Sequence, residues 1–245
     1  MVPLIPGSIG FVVAMPMEAT TLGRLRLSPH GAILPDARGG IALSGIGASH
    51  AREAALGLVA RGARALVSWG VCGALSPGLA AGALVIPAEV CASDGQTHET
   101  SMVWRARLGE LLPETLPMHT GSLMEVLHVV TAIAEKQELH RRSGAVAVDM
   151  ESAAVAGVAA GAGFPFIAIR AVVDSANTVF PAYLGPTLDQ AGMCGMSVVR
   201  TVCAHPSDWP ALIRLGLGLR AARRTLRCVA AAHASGVAAG PTQRQ

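Results

Sequence analysis

The sequence is poor in aromatic and in charged residues. Of its 245 residues, 3% are aromatic and 14% are Asp, Glu, Lys or Arg, and the formal net charge is only +3. Nucleic-acid-binding surfaces need a dense basic patch and aromatic rings on which bases stack, so this composition predicts no nucleic-acid partner. The hydrophobic fraction of 51% excludes a disordered or fibrous chain. It allows one large domain to bury a sizeable core.

The cysteines and histidines lack the spacings that are typical of metal sites. Five cysteines and eight histidines occur, without a Cys-x-x-Cys pair or a His-Glu-x-x-His motif. The odd number of cysteines also argues against a complete set of disulfides. We therefore expect buried thiols in a reducing compartment, no bound metal and no cofactor.

Two uncharged runs reach the roughly 18 residues that a membrane-spanning helix needs, at residues 65–88 and 152–169. Glycine and proline interrupt both, at Gly70 and Gly73 in the first run and at Pro165 in the second. The N-terminal residues lack the positive region of a signal peptide. The sequence thus predicts a cytoplasmic protein without a transmembrane segment.

Apolar strand-like runs alternate with helical segments along the whole chain, without an internal repeat or a linker. Residues 9–15 form the first predicted strand, and a helix is predicted from about Met17 to Leu27. A second, amphipathic helix with an arginine stripe is predicted over residues 206–234. We expect a single α/β domain over residues 1–235 and a flexible tail at residues 236–245.

The stretch from Ala145 to Asn177 is predicted as a strand, a helix and a second strand. The apolar run at residues 145–148 forms the first strand, and Asp149 stands at the expected N-cap. The alanine-rich run Ser152–Ala162 favours a helix, and glycine and proline end it before the strand at residues 166–173.

A connection this short predicts that the two strands lie parallel. Their carboxyl ends would then meet at one edge of the sheet, bringing together Asp149, Glu151, Arg170 and Asp174. In open α/β sheets this edge is where ligands bind.

These segments also carry a family resemblance. VDMES at residues 148–152, followed by IRAVVDSAN at residues 169–177, resembles the nucleoside phosphorylase and nucleosidase family. Its methylthioadenosine/S-adenosylhomocysteine nucleosidase branch has an EME segment followed by IRxxSD, and AMPMEAT at residues 14–20 resembles that branch's AMxxE. The resemblance implies a three-layer α/β/α fold of the phosphorylase/hydrolase type with a central mixed sheet. VDMES, the low charge and the extended C-terminal segment are most similar to hopanoid-associated phosphorylases, which act on an adenosylated triterpenoid.

The resemblance implies an enzyme that cleaves the N-glycosidic bond of an adenine nucleoside with an apolar, adenosylhopane-like 5′ substituent and releases adenine. Its partners would be the small-molecule nucleoside, in lipid-linked form for such a substrate, and further copies of the chain in a homodimer or larger homo-oligomer. Two alternatives stay open: a methylthioadenosine/S-adenosylhomocysteine-type nucleosidase, and a non-catalytic nucleoside-binding protein on the same fold.

Three carboxylates match the chemistry of glycosidic cleavage, which passes through a cationic sugar. By resemblance, Asp174 is the general acid that protonates the purine, and an enclosed carboxyl beside apolar residues has the raised pKa that this role needs. Glu151 would accept hydrogen bonds from the sugar hydroxyls. Glu18 would activate water, although an acid in a first helical turn is also ordinary.

Five further residues are expected around the substrate by the same resemblance. Met150 would pack on the sugar, and Gly73 lies in the turn beside it, where Val71 replaces a serine common in the family. His128 stands where the nucleosidases have a stacking Phe, and Val129 where the backbone contacts adenine. Phe180 lies in a loop that can line the 5′ side of the pocket, together with the only tyrosine, Tyr183.

The nucleophile stays open between water and inorganic phosphate as co-substrate. Water needs a base, which Glu18 supplies. Phosphate needs positive donors, and the glycine turn at residues 45–48 before a predicted helix is a candidate anion site.

Overall fold

A computed structural model describes residues 9–23, 26–28, 31–33, 39–181 and 208–238. The strands in these ranges are β1 Ile9–Val13, β2 Arg26–Ser28, β3 Gly31–Ile33, β4 Gly39–Leu43, β5 Ala65–Ala74, β6 Leu84–Val85, β7 Glu89–Cys91, β8 Thr97–Glu99, β9 Met118–His119, β10 Leu123–Glu125, β11 Ala147–Asp149 and β12 Phe166–Asp174. The helices are α1 Pro16–Ala19, α2 Ala48–Ala60, α3 Met102–Leu111, α4 Ile133–Ser143, α5 Ser152–Ala162 and α6 Trp209–Ala238.

The strands form one mixed sheet organised around β5. The main path runs β2-β3-β4-β1-β5-β11-β10-β7-β8, and β12 pairs with β5 and β6. β1 and β12 are both parallel to β5, which explains why all three are nearly continuous apolar runs. The predicted central mixed sheet is confirmed.

Helices cover both faces of this sheet. On one face, α2 and α5 pack against each other and bury a small-residue core. On the other face, α1, α3 and α6 contribute buried residues to a second core that surrounds Trp69 of β5. The two cores on opposite sides of one sheet confirm the predicted three-layer α/β/α architecture.

The segment Ala145–Asn177 folds as strand, helix and strand, but the prediction of parallel strands was wrong. β11 is antiparallel to β5, whereas β12 is parallel to it. Within β5, β11 pairs with the last two residues, Gly73 and Ala74. β12 pairs with the stretch from Leu66 to Gly73. The rule for short crossovers applies to two parallel strands of one sheet, whereas α5 links strands that pair with largely different stretches of β5 and share only Gly73.

Several element boundaries also differ from the predictions. The helix expected from Met17 to Leu27 is only α1, because Pro16 starts it and Arg26–Ser28 pairs instead as β2. The long C-terminal helix is confirmed as α6 and reaches Ala238, three residues into the predicted tail. Beyond Ala238 the tail lies outside the described residues and stays a prediction.

The arginine stripe of α6 is mostly exposed, as expected. Arg220, Arg224 and Arg227 face solvent, whereas Arg223 is half-buried and donates to Thr20 Oγ1 over 3.4 Å. No helix in the described ranges combines the length and the hydropathy that crossing a membrane requires.

Candidate active site

One cavity is lined by eight of the residues that the sequence singled out as catalytic or substrate-binding. It lies at the carboxyl ends of β1, β5 and β12 and at the start of α5. The eight residues are Glu18, Gly73, His128, Val129, Met150, Glu151, Asp174 and Phe180. Their roles stay predictions, but their convergence from five separate parts of the chain is a property of the fold.

Asp174 reaches the cavity because the end of β12 is irregular. The register of β12 against β5 shifts between Val172 and Asp174, so one residue is left over in β12. Such a bulge re-aims the next side chain, and a Cβ on Gly73 would lie 3.3 Å from Asp174 Oδ1. A side chain at position 73 would therefore require the Asp174 carboxyl to shift by a few tenths of an ångström. Burial raises the pKa of Asp174, as proposed for a general acid.

The other carboxylate oxygen of Asp174 is held by Lys136, a residue of α4 that the sequence did not suggest. Lys136 Nζ donates to Asp174 Oδ2, and also to the carbonyl oxygens of Ser175 and Thr178, each over 3.1 Å. Lys136 is fully buried. Its ammonium lowers the pKa of Asp174, against the larger effect of burial.

Glu18 also lines the cavity and is fully buried. Its Oε2 accepts from the N–H of Met15 over 2.9 Å and its Oε1 from the N–H of Val71 over 2.8 Å. The first bond is the local cap of α1, and the second ties α1 to β5. Burial raises the pKa of Glu18 to about 7, while Arg170 and the two N–H groups lower it.

Glu151 is the N-cap residue of α5 and connects the cavity to the glycine turn before α2. Its Oε1 accepts from the N–H of Gly47 over 2.9 Å. Gly47 has φ of 102°, a conformation that side chains rarely adopt. The turn proposed as an anion site therefore already binds an anion, the Glu151 carboxylate. Burial raises the pKa of Glu151, and Arg170 lowers it.

Arg170 lies beneath the cavity and orders these acids. Its guanidinium pairs with Asp149 over 2.7 Å and stands 3.8 Å from Glu151. It also donates to the hydroxyls of Ser68 over 2.6 Å and of Ser152 over 3.0 Å. Burial lowers the pKa of Arg170, but the two carboxylates outweigh this effect and keep the guanidinium charged. Asp149 is thus a buried counter-ion. The N-cap residue of α5 is Glu151 rather than Asp149, although Asp149 Oδ1 still accepts from the N–H of Ser152 over 3.4 Å.

The remaining lining is apolar and extends to α6. Phe180 is buried and packs with Val129, Leu212 and Leu215. His128 Nε2 lies 2.9 Å from Glu135 Oε1, with most of the imidazole exposed. Tyr183, predicted to share the role of Phe180, lies outside the described residues.

Sequence reasoning missed the polar residues that support the site from behind: Ser68, Lys136, Ser152 and Glu125. Glu125 Oε2 accepts from the N–H of Ala154 over 2.9 Å, so it caps α5 from another strand. Burial raises the pKa of Glu125 to about 7. A charged residue within an apolar run was the available signal for Glu125. Lys136 gave no such signal, because it stands in a charged helix.

Comparison with known proteins identifies the family. The model of the phosphorylase superfamily matches residues 37–181, more than half of the chain. The chain belongs to the phosphorylase superfamily. The matched range contains every site residue predicted from the sequence except Glu18 and Tyr183. No curated protein sequence matches the chain.

Solved structures of superfamily members share this fold at low sequence identity. The Neisseria meningitidis 5′-methylthioadenosine/S-adenosylhomocysteine nucleosidase, in complex with methylthio-immucillin-A, has a TM-score of 0.71 at 22% identity, covering 94% of this chain and 99% of its own. The Helicobacter pylori enzyme of the same name has a TM-score of 0.70 at 18% identity, with coverages of 96% and 99%. Futalosine hydrolase of Helicobacter pylori has a TM-score of 0.69 at 19% identity, with coverages of 94% and 97%.

Proposed function

We propose that this phosphorylase-superfamily protein is an N-glycosidase that hydrolyses adenine nucleosides carrying an apolar 5′ substituent. The observation that carries the proposal is the arrangement of Asp174, Glu151 and Glu18 around one cavity. Glycosidic cleavage needs an acid for the leaving base, an acceptor for the sugar hydroxyls and a base for the nucleophile. Solved relatives of similar fold are named as nucleosidases and hydrolases, which agrees with this reaction type.

Asp174 is the proton donor in this proposal. It is enclosed by Val173 and Gly73, and burial raises its pKa, which favours the protonated form that a donor to a purine nitrogen needs. Glu151 accepts from the sugar hydroxyls with the oxygen that faces Arg170. As the sugar becomes cationic, its carboxylate also stabilises the positive charge.

We infer that the nucleophile is water rather than phosphate. The cavity is lined by the carboxyl groups of Glu18, Asp149, Glu151 and Asp174, and among the described residues no Arg or Lys lines it. Those of these groups that are ionised repel a phosphate dianion, whereas water is neutral. The Gly47 N–H, a potential phosphate donor, is occupied by Glu151. Glu18 has its pKa raised to about 7 and can accept a proton from water near neutral pH.

The 5′ group of the nucleoside is proposed to lie against Phe180, Val129 and Leu215. These side chains form an apolar end of the cavity, to which α6 contributes. A lipid-like group such as a hopane would be stabilised there by about 0.8 kcal/mol for each methylene that it buries. A methylthio group would fill only the start of this surface.

The decisive experiment measures adenine release from adenosine, 5′-methylthioadenosine and a 5′-alkyl adenosine, each with and without phosphate. We expect adenine and the free sugar in the absence of phosphate, with the lowest KM for the 5′-alkyl compound. Release that occurs only with phosphate, together with a sugar 1-phosphate, would identify phosphorolysis instead. Binding of adenine without release after long incubation would identify a non-catalytic nucleoside-binding protein.

A further inference from the structure

Lys136 is unusual because lysine is rare in this chain and because the residue is buried. It is the only lysine of the chain, in which every other residue counted as Lys or Arg is an arginine. It is also the only residue of α4 that is buried, with none of its surface exposed. A buried ammonium is costly unless its charge is paired and its protons are hydrogen-bonded. Its contacts therefore indicate what it does.

The three protons of the ammonium have three acceptors. These are Asp174 Oδ2 and the carbonyl oxygens of Ser175 and Thr178, the latter two at 3.1 Å. An ammonium has three donors for these three acceptors, whereas a guanidinium has five donors in a fixed planar fork. The Phe180 ring, whose centroid is 5.4 Å from Nζ, packs on the same charge. This geometry accounts for a lysine at the one place where the chain does not use arginine.

The two oxygens of the Asp174 carboxyl have different surroundings. Oδ2 is bound to Lys136, behind the cavity. Oδ1 lies towards Gly73, which lines the cavity. An acid that donates from Oδ1 would therefore leave its negative charge next to an ammonium.

We propose that Lys136 is a positioning residue for the proton donor: it holds the Asp174 carboxyl in place and stabilises the carboxylate that remains after donation. This inference rests on the proposed function. As the bond between the sugar and the purine breaks, its electron pair passes into the base. The proton of Asp174 forms the new N–H bond on the base, and the O–H electron pair stays on the carboxylate. Lys136 keeps its three protons throughout.

Other ionisable groups near the pair do not replace Lys136. Cys72 of β5 faces Asp174, and burial raises the pKa of its thiol, which stays neutral. Glu18 and Glu151 also line the cavity, but a carboxyl group is neutral or negative and cannot supply a positive charge. On α4 itself, Glu135 is paired with His128 at the surface. Among the described groups around Asp174, Lys136 is therefore the cation in direct contact.

The test compares K136M with the unmodified protein and with R141M. Arg141 lies on the same helix and forms a surface ion pair with Glu138 over 2.7 Å, so R141M controls for the loss of one cation from α4. The readouts are kcat and KM for adenine release across pH, and kcat for 4-nitrophenyl β-D-ribofuranoside. The nitrophenolate leaves without being protonated, so its release does not need the acid.

We expect K136M to lower kcat for the nucleoside at least about tenfold and to change KM less than about threefold. The pH at which activity falls on the alkaline side should rise, because the ammonium normally lowers the pKa of Asp174. Cleavage of the nitrophenyl riboside should stay within about threefold, as should all activities of R141M. K136Q, which keeps two N–H donors for the carbonyls, replaces K136M if thermal unfolding shows that K136M does not fold.

Two results would contradict this role: an alkaline fall in activity at the same pH in K136M and the unmodified protein, or an equal loss of kcat on both substrates. Either would mean that Lys136 only stabilises the loop after β12. Unchanged nucleoside turnover in a folded K136M would also overturn the proposal. Absence of adenine release by the unmodified protein would instead refute the proposed function, so the two failures are distinguishable.

Discussion

Glu18 is charged only at a cost, although both of its carboxylate oxygens accept backbone N–H groups. Burial raises its pKa to about 7, and the attraction of Arg170 recovers only part of the desolvation. The folded protein therefore binds a proton at Glu18 more tightly than the unfolded chain does. By linkage, the contribution of Glu18 to stability is largest below its ordinary pKa of 4.5 and is lost as the pH rises to about 7.

We predict that E18Q removes this pH dependence. Between about pH 4.5 and about pH 8, the free energy of unfolding of the unmodified protein should fall by about 3 kcal/mol relative to that of E18Q. Urea unfolding at several pH values measures the difference, and other titrating groups cancel because both proteins contain them. A difference that is constant with pH would show that Glu18 is already ionised at acidic pH.

Asp174 provides the second prediction at the residue scale. D174N should lower adenine release by about 10²-fold or more, because an amide cannot give up the proton that the base needs. The amide oxygen can still accept from Lys136, but the buried ammonium loses its counter-ion, so D174N should unfold at a lower temperature and be assayed below it. Adenine release is measured by chromatography, with thermal unfolding as the control. Near-normal turnover in a well-folded D174N would exclude Asp174 as the acid.

At the scale of elements, α6 completes the apolar end of the cavity. Its Gly218 lies directly on the backbone of Val173 in β12, where a Cβ would overlap the carbonyl. This close approach sets the position of Leu215, one turn earlier, against Phe180. The helix α6 and the loop after β12 therefore form one continuous apolar surface.

We predict that KM depends on the length of the 5′ substituent, because a longer substituent buries more of its carbons on this surface. For the unmodified protein, KM should fall by roughly fourfold per methylene until the surface ends, which corresponds to about 0.8 kcal/mol for each group. F180A should flatten this dependence and leave adenosine itself little changed. A KM that does not vary with chain length in the unmodified protein would assign Phe180 to packing alone.

At the scale of the whole molecule, the cavity is made by distant parts of the chain. The bond between Gly47 and Glu151 spans 104 residues, and that between Glu18 and Val71 spans 53. A ligand that contacts these parts together can bind only the folded chain. It therefore stabilises the whole domain by mass action.

We predict that adenine raises the unfolding temperature. At a hundred times its dissociation constant, a ligand of the folded state contributes about 2.7 kcal/mol. Thermal unfolding with and without adenine measures the effect, and uracil, which has no purine nitrogen for Asp174, is the control. Equal shifts with both bases would mean that the cavity does not recognise purines.

The sequence by itself determined the local elements and the family motifs. Continuous apolar runs identified β1 and β12, and the alanine-rich run between Asp149 and Gly163 identified α5 and its end. Backbone propensity, capping and burial pattern act over a few residues, so they can be read along the chain. The motifs around Glu18, Glu151 and Asp174 belong to the same class of local information.

Only the tertiary structure decided strand direction and charge pairing. The antiparallel β11 depends on which stretch of β5 it meets, and Lys136 is 38 residues away from the Asp174 that it binds. In the sequence, Lys136 resembles a surface lysine of a charged helix. It is buried because the loop after β12 offers an anion and two carbonyl oxygens at that point, and only the completed fold brings these groups together.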